Sequence, residues 1–232
     1  MKNILIFRLK TFRNSSISKA FTMLELVFVI VVVGILAATM APRFSRDSLQ
    51  EASDKLVSHL RYTKHLALVD DVFDSTDANW YKNRWQLIFT KTVDGADVWS
   101  YTIFSDTLNH DGNPNISDDI AKNPNNPNQY LSGGYSGILS LTDSRRDETM
   151  AIGQTYGIQD VLFQGGCSTA RRIAFDYLGR PIQGNLSTST TPYQSDRLMT
   201  KQCKIVICKN SPCDDKNITI AIEPQTGYIH IL

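Results

Sequence analysis

The strongest constraint on this chain is a run of apolar residues that begins behind a lone acid. Glu25 follows Phe21, Thr22, Met23 and Leu24, and residues 26–41 then stay apolar except for Gly34 and Thr39, until Pro42 closes the run. A stretch of that length must leave water. As a helix rising about 1.5 Å per residue, residues 21–41 just match a bilayer core of roughly 30 Å. A carboxylate at the threshold of such a helix costs several kcal/mol to bury unless it finds a partner, so Glu25 reads as functional. The most direct partner is a free amine made by cutting the chain before Phe21.

Residues 1–20 carry Lys2, Arg8, Lys10, Arg13 and Lys19 and no acid. That is a cytoplasm-facing flank, with the bulk of the chain on the other side of the membrane. An ordinary secretory signal would instead be cut behind small residues after the apolar run. Thr39-Met40-Ala41 suits that poorly, and Pro42 would become the first mature residue. A simple uncleaved anchor leaves Glu25 without a reason.

The chain has 24 basic and 23 acidic residues, a formal net charge of +1. Without the five leader cations the balance is 19 against 23, near −4, which is not the broad basic face of a nucleic-acid binder. About 160 residues follow the helical region, enough for one domain with its own core.

Cys167, Cys203, Cys208 and Cys213 all fall in that exported part. An even count in an oxidising compartment reads as two disulfides, with three possible pairings. The preferred one joins Cys208 to Cys213 around residues 209–212 and Cys167 to Cys203 between neighbouring strands. The absence of any CxxC pair makes structural zinc the poorer reading.

Beyond Pro42, Leu49, Ala52, Leu56, Leu60, Thr63 and Ala67 recur at helical spacing, with Glu51, Asp54, Lys55, Arg61 and Lys64 opposite. The pattern predicts one helix over residues 22–69, kinked at Pro42. Period-two segments then predict strands at 85–90, 98–104, 161–163, 173–176, 204–208, 218–222 and 228–232. Pro224 and Gly227 mark the last hairpin turn, and Gly179 and Pro181 another. The expected fold is α+β: a long N-terminal helix, membrane-spanning in its first half (21–45) and amphipathic in its second (46–72), packed on antiparallel sheet in residues 73–232. Residues 105–137, rich in Asn, Asp, Gly and Pro, read as an irregular loop.

Phe-Thr-x-Leu-Glu at the head of an apolar helix, with Gly34 mid-way and Pro42 at the end, resembles the type IV pilin and pseudopilin family. With Phe21 counted first, the glutamate is fifth, the glycine fourteenth and the proline twenty-second. The resemblance implies that prepilin peptidase cuts between Ala20 and Phe21 and methylates the Phe21 amine. Ala20 departs from the family's usual glycine while still supplying a small residue. It further implies single-pass anchorage in the bacterial inner membrane and assembly with other pilins or pseudopilins through the N-terminal helix, with Glu25, Gly34 and Pro42 as assembly residues. A fainter resemblance, to H-type minor pseudopilins of type II secretion and related minor pilins, rests on Arg43-Phe44, the spacing of Leu56, Leu60 and Leu66, Trp85-Gln86-Leu87, the run Ile173 to Pro181, and a closing strand after Thr226-Gly227. It implies a subunit near the tip of a secretion or pilus-like fibre; the alternative is a pilus-tip binding module for DNA uptake or surface adhesion.

Helix stacking explains the residue choice. Moving an apolar helix from lipid into a fibre core of similar polarity discriminates little, whereas an ammonium at Phe21 and a carboxylate at Glu25 of a neighbour attract strongly in low dielectric. Gly34 costs about 1 kcal/mol of helix propensity and serves either close helix approach or local unwinding in a fibre, or is simply a glycine that a membrane helix tolerates.

No enzyme is indicated. His59 and His65 do not share a helix face, His110 and His230 stand apart, and neither a His-Glu-x-x-His pattern nor a nucleophile elbow occurs. No cofactor is expected. Asp106, Asp111 and Asp118 supply oxygen ligands that suit calcium, but not in EF-hand register, and turn chemistry is the preferred reading. The pairs Arg145-Arg146 and Arg171-Arg172 offer phosphate contacts to DNA, with solvated loop or strand edge as the preferred reading. Asp215-x-Asn217-x-Thr219 matches the extended acidic sequon of bacterial N-glycosylation.

Overall fold

The computed structural model describes residues 22–40, 47–168, 170–193 and 195–232. The chain divides into two compact units, residues 1–45 and residues 46–232.

In the first unit, α1 (Met23–Met40) is apolar on every side, with Glu25 in its first turn. The Glu25 amide donates to Thr22 Oγ1 at 3.3 Å, a local cap for a helix start. Among the described residues no helix is long and apolar enough to cross a membrane. This corrects the expected transmembrane helix and single-pass inner-membrane placement. Eighteen residues rise only about 27 Å, short of the roughly 30 Å hydrocarbon core.

The single helix over 22–69 is also corrected. The helical residues fall into α1 and a separate α2 (Ser48–Val69) with its own start. Asp47 is extended (φ −69°, ψ 103°) and its carboxylate accepts the Leu49 N–H at 3.0 Å. A residue capping a new helix cannot also carry an older one forward. Pro42, the expected kink, lies outside the described residues. With a five-residue α3 (Ile152–Tyr156) the helices are all short, and the second unit is mostly β-sheet.

One four-stranded antiparallel sheet has the order β2 (Ala96–Phe104), β1 (Gln86–Val93), β6 (Arg172–Phe175), β7 (Pro181–Ile182). The other has the order β10 (Ile229–Ile231), β9 (Asn217–Ile222), β8 (Cys203–Cys208), β5 (Asp160–Gly165). The stripe of α2 is buried across both, Leu56 and Leu60 being fully enclosed with Leu87, Phe175, Ile205 and Ile222. A helix with one apolar face and sheets with alternating faces satisfy each other in this layered way.

The two turns marked by glycine and proline meet beside α2. Gly227 (φ +60°) and Gly179 (φ +73°) both need the left-handed region, and a Cβ on Gly227 would fall 2.3 Å from the Gly179 carbonyl oxygen. Lys64 of α2 ties this corner down by donating to Thr226 O at 2.8 Å. Residues 105–137 are more ordered than their composition implies. They contain β3 (Lys122–Asn123) and β4 (Asn126–Tyr130), and Ile120, Tyr130 and Leu131 are buried. The disulfides are Cys167–Cys203, which joins the end of β5 to the start of β8, and Cys208–Cys213.

Candidate functional site

Of the residues expected to govern processing and assembly, Ala20, Phe21 and Pro42 lie outside the described residues. Glu25 is exposed in the first turn of α1, where a carboxylate is favoured by the helix dipole. A Cβ added to Gly34 would meet nothing within 4 Å. Among the described residues nothing therefore requires glycine there. The large apolar side chains of α1 described over residues 23–36 are exposed, from Val32 at 39% to Met23 at 86%.

The calcium candidates do not converge. Asp106 is buried and accepts the His110 and Gly112 amides at 3.0 and 2.6 Å. Asp111 accepts the Asn113 amide at 2.8 Å, and Asp118 is exposed. Burial raises the Asp106 pKa above the usual carboxylate value, opposed by its two amide donors. Among the described residues no group of three or more His, Cys, Asp or Glu could hold a metal ion.

The arginine pairs are largely committed to the fold. Arg172 is buried, bonded to the Gly112 carbonyl and to Gln86 Oε1, with burial lowering its pKa. Arg146 is buried against Gly133 O and Gln154 Oε1. Arg145 chelates Asp143 at 2.8 and 3.1 Å, and the Arg171 guanidinium lies 5.2 Å from the centre of the Trp99 ring. Asn217 opens β9 and is exposed, with its amide nitrogen donating to Asp214 O.

His59 and His65 are separate, as their spacing requires. His59 Nδ1 lies 2.8 Å from the hydroxyl of the fully buried Tyr101, and burial lowers the His59 pKa to about 4. His110 pairs with Asp77 at 3.2 Å and His230 with Glu223 at 3.7 Å.

The feature that sequence reasoning missed is a cleft of about 230 Å3 at the C-terminal end of α2. Its walls bring Phe73, Trp80 and Trp85 from the α2–β1 connection to Phe175, Tyr177 and Tyr193. Phe73 packs edge-on against Trp80 with ring centres 5.2 Å apart, and Tyr177 against Tyr193 at 6.3 Å. Asp70, the C-cap residue of α2, accepts from Trp85 Nε1 at 2.7 Å. Arg84 donates to the Pro192 carbonyl, and burial lowers its pKa, with Asp176 opposing. Asp176 itself is buried and organises the neighbouring turn by accepting from the Leu178 and Arg180 amides and from Arg180 Nε. The available signal was a concentration of aromatic residues, Phe73, Trp80 and Tyr81, in a polar connection that has no core of its own to fill.

Comparison with family models, with curated proteins and with solved structures finds no match to this chain.

Proposed function

We propose that this chain is a minor subunit of a pilin-like or pseudopilin-like fibre, matured by prepilin peptidase before Phe21 and joined to its neighbours through α1. The observation that carries the reading is α1 itself: apolar on every side, exposed over residues 23–36, and bearing one carboxylate in its first turn. A helix that is apolar all round is stable only when buried. Side-by-side packing with like helices buries it, and pairing of Glu25 with a neighbour's terminal amine sets the stagger. The motif spacing of Phe21, Glu25, Gly34 and Pro42 supports the same reading, as do two disulfides of the kind that persist outside the cytoplasm. In this role the chain is a building block and a substrate of processing enzymes.

Glu25→Ala is expected to leave cleavage before Phe21 intact and to reduce incorporation into fibres about tenfold or more, since an unpaired buried charge costs several kcal/mol. Quantifying the variant in sheared fibres, beside mass spectrometry of its first residue, checks this. Normal incorporation of the processed variant would overturn the role of Glu25, and a retained Met1 would overturn the maturation.

The tip-binding reading for DNA draws no support from the arginine pairs, because Arg146 and Arg172 are spent inside the fold. The oxidised full chain is expected to show no salt-dependent DNA affinity in a titration across sodium chloride concentrations. A linear fall of log affinity with log salt would reveal phosphate contacts and restore that reading.

A further inference from the structure

We propose that the aromatic cleft formed by Phe73, Trp80, Tyr177 and Tyr193 beside Asp70 and Arg84 binds one sugar residue of a neutral glycan. The inference uses only residues 46–232, so it stands or falls separately from the assembly role of α1.

Three observations carry it. First, large rings are held open to solvent: Phe73 is 60% exposed, Tyr177 54% and Tyr193 73%. Their edge-to-face partners fix them in place, so they form a standing apolar wall. Clustered exposed apolar surface of this kind marks an interaction site. Second, the cleft of about 230 Å3 is smaller than the roughly 300–1,000 Å3 of pockets for larger ligands, which leaves room for about one ring.

Third, the polar edge is mixed in sign. Asp70 has one carboxylate oxygen engaged by Trp85, and Arg84 keeps guanidinium N–H groups beyond the one directed to Pro192. A cationic ligand would meet the Arg84 guanidinium among the rings. An anionic ligand would meet the carboxylates of Asp70 and Asp71. A wholly apolar ligand would strip water from Asp70 and Arg84 and return no hydrogen bond, a penalty of about 1–3 kcal/mol per group. A pyranose has an apolar C–H face for the rings, hydroxyls that donate to the aspartate, and oxygens that accept from the arginine. It alone among these classes satisfies both the walls and the edge.

Tryptophan fluorescence tests this in the oxidised full chain, because Trp80 and Trp85 line the cleft while the buried Trp99 lies elsewhere. The probes are glucose, galactose and N-acetylglucosamine, set against glucuronate, tetramethylammonium and N-acetylphenylalaninamide. A saturable change with at least one neutral sugar is expected, at about millimolar Kd, weakened about tenfold or more by Tyr177→Ala and by Tyr193→Ala. Both tyrosines are exposed, so neither change threatens the fold. Absence of saturation with every neutral sugar, tighter binding of any of the other three probes, or sugar binding indifferent to both tyrosine changes would each overturn the proposal.

Discussion

Asp119→Ala should destabilise the folded chain by about 3 kcal/mol, because a buried carboxylate that gathers four neutral donors is lost. The residue is 1% exposed. One carboxylate oxygen accepts from the Thr107 amide at 3.2 Å and the Thr107 hydroxyl at 2.6 Å. The other accepts from the Asn115 amide at 2.8 Å and the Ile116 amide at 3.3 Å. Alanine takes the acceptor from all four donors; a donor that stays buried costs about 1–3 kcal/mol, while the exposed Thr107 and Ile116 can turn to water. Ile120 and Tyr130, packed with Phe104, rely on the loop that Asp119 closes. Chemical denaturation gives the magnitude, and hydrogen exchange at Thr107, Asn115 and Ile116 locates it. A loss below about 1 kcal/mol would mean the loop is held chiefly by its apolar contacts.

The second large effect is on acid stability and comes from His59. Burial keeps the Tyr101 phenol protonated and disfavours charge on His59, whose Nδ1 shares a 2.8 Å hydrogen bond with that hydroxyl. The folded chain therefore holds His59 neutral down to about pH 4, whereas the unfolded chain protonates it near 6.5. Between those values the unfolded state binds more protons, so stability falls as pH falls, by an amount approaching about 3 kcal/mol, and levels off below the folded pKa. Asp147 near the ring resists the shift and Lys55 reinforces it. Asp106, with its raised pKa, works in the opposite sense by taking up a proton in the folded state. Asp74, Asp143 and Asp214 are held below the usual carboxylate value by hydrogen bonds and lose their contribution only below the window. His59→Gln should flatten the dependence, as read from denaturation midpoints of both chains at pH 7, 5.5 and 4.5. Parallel curves would show that His59 is protonated in the fold.

Much of the second unit was legible in the residues because the relevant signals are short-ranged. The α2 stripe from Leu49 to Ala67 is the buried face, and each of the seven period-two segments overlaps a strand, with Trp85, Asp176, Tyr228 and Leu232 just outside and β3, β4 and β7 unforeseen. The turns at Gly179 and Gly227 occur where glycine was needed. Three things were not legible. The break between α1 and α2 depends on Asp47 adopting an extended cap, an option that apolar periodicity does not register. The 105–137 segment looked structureless because its order comes from Asp106 and Asp119 gathering backbone amides, not from a hydrophobic repeat. Arg146 and Arg172 looked like surface cations, and only the packed structure surrounds them with carbonyls.

The chain's order of residues alone determined α1's apolar character, the acid at its head, the stripe of α2, the strands and the even cysteine count, since each depends on neighbours within a few positions. Tertiary structure alone decided where the aromatic cleft forms, because Phe73 and Trp80 meet Tyr177 and Tyr193 across about a hundred residues of chain. Contacts of that separation exist only after two sheets have closed on one helix, and no local pattern encodes them.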